Sequence, residues 1–249
     1  MRLVIWNFAI ILLTFTTVTA VAEITAPIVV PRPKPAILEK PAPQQPTPPP
    51  DAALPDEPGI ASALAEDCRN QLSRLGTKFS IPETVASTVS CHIDNPVVLA
   101  SLDNATASFS FTDKPLLNCN FALAFSKWAA DIAAPVVSSH ELLKLSAIAT
   151  GPGYVCRGRN GDATAKISEH ALGNAVDIDS IVLDGKTRLP ISAVTDTASP
   201  HYGMLMALRL SACGYFTTVL GPGANEAHKE HYHFDLGVHG KSDNYRICE

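Results

Sequence analysis

The 249-residue sequence is short of charge: only 17% of its residues are Asp, Glu, Lys or Arg, and 19 basic residues face 24 acidic ones, for a net charge of -5. A chain without a basic excess has no electrostatic footprint for a phosphate backbone, so nucleic acid is excluded as a partner. No pair of cysteines is spaced as CxxC, which argues against a thiolate metal site. No HExxH occurs either, so a zinc site built on one helix face is excluded. There is no internal repeat. Beyond the N-terminus no apolar run approaches the roughly 20 residues that span a bilayer, so no membrane contact is expected once the leader is removed. What is present in quantity is apolar residue, 46%, enough for a packed core and against wholesale disorder.

The N-terminus sets the compartment. Arg2 is followed by an apolar run from Leu3 that extends to Val18, then by Ala20-Val21-Ala22. A positive start, an apolar centre and an Ala-x-Ala site make residues 1–22 a secretory signal peptide, cleaved after Ala22. Twelve of the 20 prolines then lie between Pro27 and Pro58. Residues 23–58 are therefore expected to be a disordered proline-rich linker with polyproline II character. At about 3.1 Å per residue it would reach on the order of 100 Å, a tether open to contacts with cell-envelope proteins. Six cysteines, Cys68, Cys91, Cys119, Cys156, Cys213 and Cys248, suit an exported, disulfide-bonded chain, placed here in the periplasm. Of fifteen pairings, chain order makes Cys68–Cys91, Cys119–Cys156 and Cys213–Cys248 the simplest.

From Gly59 the pattern turns helical, with Ile60, Leu64, Cys68, Leu72 and Leu75 on one face and Gly76 as the stop. Ala107, Phe109 and Phe111 alternate as a strand, and Asn118 to Ala134 reads as a buried helix ended by Pro135. Leu143–Thr150 and Ala175–Leu183 read as strands, the second leading through Asp184-Gly185 into another over Arg188–Ile191. Ser199 is placed to cap a helix through Leu210, and Phe216–Leu220 and Tyr232–Leu236 close the chain as strands. The expectation is an α+β domain over 59–249, with helices packed on a mainly antiparallel sheet.

Chemistry concentrates in two segments. One runs from Ser168 through His170, Gly173 and Asp177 to Asp179; the other is His228-Lys-Glu230-His231-Tyr-His233-Phe-Asp235. Imidazole and carboxylate are the ligands of a catalytic zinc, which keeps one position open for water. On a strand His231, His233 and Asp235 share one face, while Glu230 has the opposite parity and reaches a metal there only from a bend. Asp179 and Asp235 are candidates to fix imidazole tautomers through outer hydrogen bonds. Ser168 is a candidate to bind substrate or orient Asp177, and Gly173 to permit a turn. His92, His140, His201 and His239 lie outside these segments and read as surface or structural groups, and His228 as a rim residue.

Ser168 to Asp177 fills every fixed position of SxHxxGxAxD, and Glu230 to His233 fits ExxH while also containing HxH. Together they resemble the zinc peptidases that include D-alanyl-D-alanine carboxypeptidases, lysostaphin-type endopeptidases and the hedgehog signalling domain. With Gly153-Tyr-Val-Cys-Arg157, the stretch from Cys213 to Gly223 and the terminal Ile247-Cys248, the chain more closely resembles the bacterial extensin-like C-terminal domain, over about Cys68 to Cys248. The resemblance implies a single zinc ion held by His170, Asp177 and His233. It implies Glu230 as catalytic base, His231 as a donor to the oxyanion and Arg157, with Arg159 as its substitute, as a substrate-orienting cation. It further implies a zinc hydrolase cleaving peptidoglycan amide bonds, as an endopeptidase, D,D-carboxypeptidase or amidase. The alternative it carries is an inactive zinc-containing wall-binding or signalling module.

Overall fold

The structure is a computed structural model that describes residues 58–141, 143–162, 164–240 and 245–249. The expected signal peptide and all of the expected linker but Pro58 lie outside the described residues. Helix α1, Pro58–Arg74, opens the domain one residue before the expected start. A proline costs nothing in a first helical turn, where its missing N–H would have no partner. The face that α1 buries is Ala65, Cys68 and Leu72, whereas Leu64 is 65% exposed, a correction to the expected stripe.

Among the described residues ten strands form one sheet, ordered β1-β2-β3-β5-β6-β9-β8-β10, with β4 also on β2 and β7 also on β6. They are β1 (Thr77–Ser80), β2 (Pro96–Asp103), β3 (Ser108–Phe111), β4 (Leu116–Asn118), β5 (Leu145–Thr150), β6 (Ala175–Leu183), β7 (Thr187–Pro190), β8 (Thr218–Leu220), β9 (Tyr232–Asp235) and β10 (Ile247–Cys248). Pairing is antiparallel except β3 with β5 and β8 with β10, so the mixed α and β class with a mainly antiparallel sheet stands.

The helix predicted from Asn118 does not stop at Pro135. Asn118 caps α2 (Cys119–Trp128) by accepting a hydrogen bond from the Phe121 N–H, and the chain passes through a widened π turn, Ala129–Ala133, into α3 (Ala134–Glu141). The wide turn sits where Pro135 removes a donor, and so lets the helix run past it. The resulting run, Cys119–His140, is long and apolar enough to cross a membrane, contrary to the expectation that only the N-terminus has such a segment. Over half of it is buried within the domain, with Phe121, Phe125 and Trp128 fully covered, as in a core helix. Helix α4 (Tyr202–Ala212) starts three residues after Ser199, whose hydroxyl accepts from the His201 N–H in a preceding turn rather than capping the helix.

Strand β9 shows how the sheet divides labour. Tyr232 and Phe234 enter the core, where Phe234 stacks on Phe216 at 4.9 Å and meets Trp128 edge-on at 5.1 Å. By the two-residue period, His233 and Asp235 face the other way. Strand β6 does the same, with Val176 and Ile178 in the core cluster and Asp177 outside it.

Two of the three expected disulfides are corrected. The pairs are Cys68–Cys119, Cys91–Cys156 and Cys213–Cys248. Packing of α1 on α2 carries Cys68 to the first residue of α2, past the nearer Cys91. The loop holding Cys91 is drawn to the segment after β5, where the Tyr154 hydroxyl donates to the carbonyls of Ala86 and Cys91. Peptide mapping of the oxidised protein is expected to recover these three linkages, and Cys68→Ser with Cys119→Ser to cost about 2–5 kcal/mol in denaturant unfolding.

Candidate metal centre

Each member of the cluster is delivered by a different local device. His170 lies on a 3-10 turn, Glu169–Leu172, whose N-terminus is capped by Ser168: the Ser168 hydroxyl accepts from the His170 N–H. The turn ends at Gly173, at φ +61, where a Cβ would also run into Ile93 and the backbone nitrogen of Asn118. Only glycine meets both demands. Asp177 and His233 are direct cross-strand partners on β6 and β9.

These three side chains converge. Asp177 Oδ1 lies 2.9 Å from His233 Nδ1 and 3.3 Å from His170 Nε2, and the two imidazole nitrogens are 3.3 Å apart. The outward nitrogen of each ring is already engaged. His170 Nδ1 is 2.7 Å from the Gly153 carbonyl, and His233 Nε2 is 3.0 Å from Asp235 Oδ2. Those acceptors require N–H on the outer nitrogens, so both neutral rings aim lone pairs inward at a carboxylate. Three electron-rich atoms in contact, two on buried imidazoles and one on a half-buried carboxylate, need a shared cation. A tetrahedral zinc with bonds of about 2.0–2.1 Å separates its ligand atoms by about 3.3–3.4 Å, close to this spacing. The donor set and its outer partners therefore fit one zinc ion.

In the protein alone a proton fills that need. Burial opposes the charge on His233, but the hydrogen bonds it donates to the Asp177 and Asp235 carboxylates outweigh it and push its pKa up to about 9. Burial likewise opposes ionisation of Asp177, and hydrogen bonds to His170 and His233 override it, holding the carboxyl well below the usual carboxylate range.

Two of the three, Asp177 and His233, line a cleft of about 500 Å³. Arg157 lines it, with its guanidinium 3.7 Å from Asp177 Oδ2, and so does His231, whose Nε2 is 3.5 Å from Asp177 Oδ1. Asp235 takes the role expected of it beside His233, and also accepts from the Gly237 N–H. Asp179 does not: it is exposed and pairs with Arg188 at 2.8 Å, because two residues further along β6 the strand has left the cleft. Glu230 is exposed too and does not line the cleft, the outcome its strand parity warned of.

Two histidines missed by the sequence reading occupy the walls instead. His228, read as a rim residue, is buried on a 3-10 turn with Nδ1 2.7 Å from Asn225 Oδ1. Burial and then the neighbouring His233 and His231 lower its pKa to about 4. Burial also lowers that of His231. His239 lines the cleft with Nε2 2.6 Å from the Thr218 hydroxyl, which bonds onward to Asp235. The crowding of three histidines into six residues was the signal available for His228; nothing local marked His239.

Because metal must displace the proton on His233, zinc affinity is expected to rise with pH up to about 9, releasing about one proton per ion near neutrality, measurable by calorimetry in buffers of different ionisation heat. The same raised pKa makes the metal-free fold gain stability from His233 below its unfolded pKa and lose it as pH climbs towards about 9. Asp235→Asn should weaken zinc binding about 10–100-fold, whereas Asp179→Asn and Glu230→Gln should leave it unchanged.

No curated protein and no solved structure matches the chain. Residues 66–249 match the family described as extensin-like protein C-terminus, a span that holds the whole sheet, all three disulfides and every residue of the cleft. The chain belongs to the extensin-like C-terminal family.

Proposed function

We propose that the chain is an exported, periplasmic zinc-dependent hydrolase that cleaves amide bonds in peptidoglycan peptides. One observation carries the chemistry: two imidazoles and a carboxylate meet at 2.9–3.3 Å, with both outer ring nitrogens held by acceptors, at a cleft that three more histidines line. The substrate class comes from the resemblance of the two motifs to the zinc peptidases. Export is supported by the leader read from the sequence and by six cysteines that all pair.

His170, Asp177 and His233 would hold the ion. When bound, the ion would supply Lewis acidity, for an amide carbonyl and for a water molecule beside it. His231 takes the proton that this water loses and passes it to the nitrogen of the departing amine, so the C–N bond breaks to a carboxylic acid and an amine. Burial keeps His231 and His228 uncharged near neutral pH, so each ring has a lone pair available, but the same burial makes His228, lowered to about 4, a weaker base than an ordinary imidazole. Asn225 holds the Nδ1–H of His228, which leaves its Nε2 as an acceptor. Arg157 stands beside the ligand carboxylate, where a rigid guanidinium fork can hold a substrate carbonyl. Glu230, outside the cleft, has no part in proton transfer.

The position of Glu230 favours a second reading, a wall-binding or signalling module that keeps the metal without turnover. Digestion of purified peptidoglycan separates the two. Wild type is expected to release new muropeptides and His170→Ala to lose zinc and activity together. His231→Ala should keep zinc but fall about 10²–10⁴-fold in rate, with Glu230→Ala close to wild type. Zinc binding with no change in muropeptides would support the module and overturn the enzyme.

A further inference from the structure

The chain leaving β9 brings one more side chain to the cleft. The Thr217 hydroxyl donates to the Gly237 carbonyl at 2.6 Å and so ties this stretch back beside β8. Gly237 has no room for a side chain, because a Cβ would stand 2.9 Å from the Glu169 carboxylate, which the Asn174 amide holds at 2.7 Å. Val238 then turns out to solvent, 72% exposed. His239 turns in, where it lines the cleft together with Thr218, Asp235, His233 and Asp177.

Hydrogen counting fixes the direction of the contacts that follow. Thr218 and Asp235 are direct cross-strand partners on β8 and β9, and the Thr218 hydroxyl donates to the Asp235 carboxylate. A hydroxyl has one hydrogen to give. His239, whose Nε2 lies 2.6 Å from the same oxygen, is therefore the donor in that contact. Asp235 also accepts from the Gly237 N–H at 2.8 Å and from His233 Nε2 at 3.0 Å. The buried carboxylate is thus oriented from one side by His239 and Thr218 while it orients a ligand ring on the other.

We propose that His239 is a positioning residue of the metal centre: through Thr218 it holds the Asp235 carboxylate, and through Asp235 it keeps the His233 ring turned so that Nδ1 faces Asp177 and His170. The proposal rests on the zinc site of the function proposed above and not on hydrolysis. Remove the imidazole, and the Thr218 hydroxyl is free to rotate its hydrogen away from Asp235. The carboxylate then loses one of the donors that orient it, and the ligand ring loses part of its support.

The test is zinc affinity of the full-length oxidised protein, read by competition with a chromophoric chelator, together with the visible spectrum of the cobalt(II)-substituted form. His239→Leu acts one bond further out than Asp235→Asn, so it should weaken zinc about three- to tenfold and alter the cobalt bands. Thr218→Val should do the same, and the double variant should be no worse than either single one, since both cut one chain of contacts. His239→Gln, whose amide N–H can replace the imidazole donor, should recover affinity and spectrum, as should Thr218→Ser. A residue that only filled the cleft wall would give additive losses and no recovery by glutamine. Either of those results, or a zinc affinity and cobalt spectrum unchanged in His239→Leu, would overturn the proposal, and the His239 pair decides it should the buried Thr218→Val variant fail to fold. Peptidoglycan digestion on the same preparations keeps the two ideas apart. Coupled losses of zinc affinity without turnover in the wild type sink only the hydrolase reading, whereas turnover with additive losses sinks only this one.

Discussion

The rung that pairs Asp177 with His233 across β6 and β9 is the constraint on which the rest of the site depends. A half-buried carboxylate facing two buried imidazole lone pairs is unfavourable unless a positive charge sits among them. That charge comes from a proton in the protein alone and from a metal ion in the form proposed here. The sheet makes the rung rigid, because the neighbouring residues on both strands, Val176, Ile178, Tyr232 and Phe234, are locked in the core. Binding energy for a cation is therefore not spent on bringing the ligands together.

The outer contacts explain why the rings cannot relax away from one another. The His233–Asp235 bond and the His170–Gly153 carbonyl bond fix which nitrogen of each ring bears hydrogen. Asp235 is itself held by the Gly237 N–H and by Thr218, which His239 engages from the cleft wall. A chain of four groups thus links the cleft surface to a ligand ring, so a change at His239 is transmitted to the basicity of His233.

How much of this was legible in the sequence depended on whether the information was local. Strand β6 was readable end to end because Ala175–Leu183 is a mostly apolar run, interrupted only by Asp177, Asp179 and Ser180 and closed by the Asp184-Gly185 turn, even though its buried positions change phase at Ser180–Ile181. Strand β2 was not, since a register shift places Val97 and Leu99 two apart but Leu102 three further on, which destroys the two-residue period. The ligand histidines were legible because motif spacing records them. Glu230 was misplaced because motif spacing does not say on which side of a bend a side chain emerges. His239 entered the cleft by tertiary folding alone, through Thr218 on a strand 21 residues away. The disulfides failed for the same reason: chain order is a poor guide where α1 packs on α2 and a long loop folds back over the segment after β5.

The corrected pairing also gives the cysteines a role in the chemistry. Cys156 sits between Gly153, whose carbonyl orients His170, and Arg157, which reaches Asp177. Val155 donates its N–H to the His170 carbonyl, and Ser168 donates to that of Arg157, so residues 153–157 and the ligand-bearing turn brace each other. Such a segment has little apolar burial to hold it, with Cys156 itself exposed and Arg157 only partly covered. The bridge to buried Cys91 fixes Cys156 and, beside it, Arg157. It adds to the backbone bonds with Leu116 that hold Pro152 and Tyr154 on β4, and together they steady the Gly153 carbonyl that sets the His170 tautomer and so the inward lone pair on which metal binding depends.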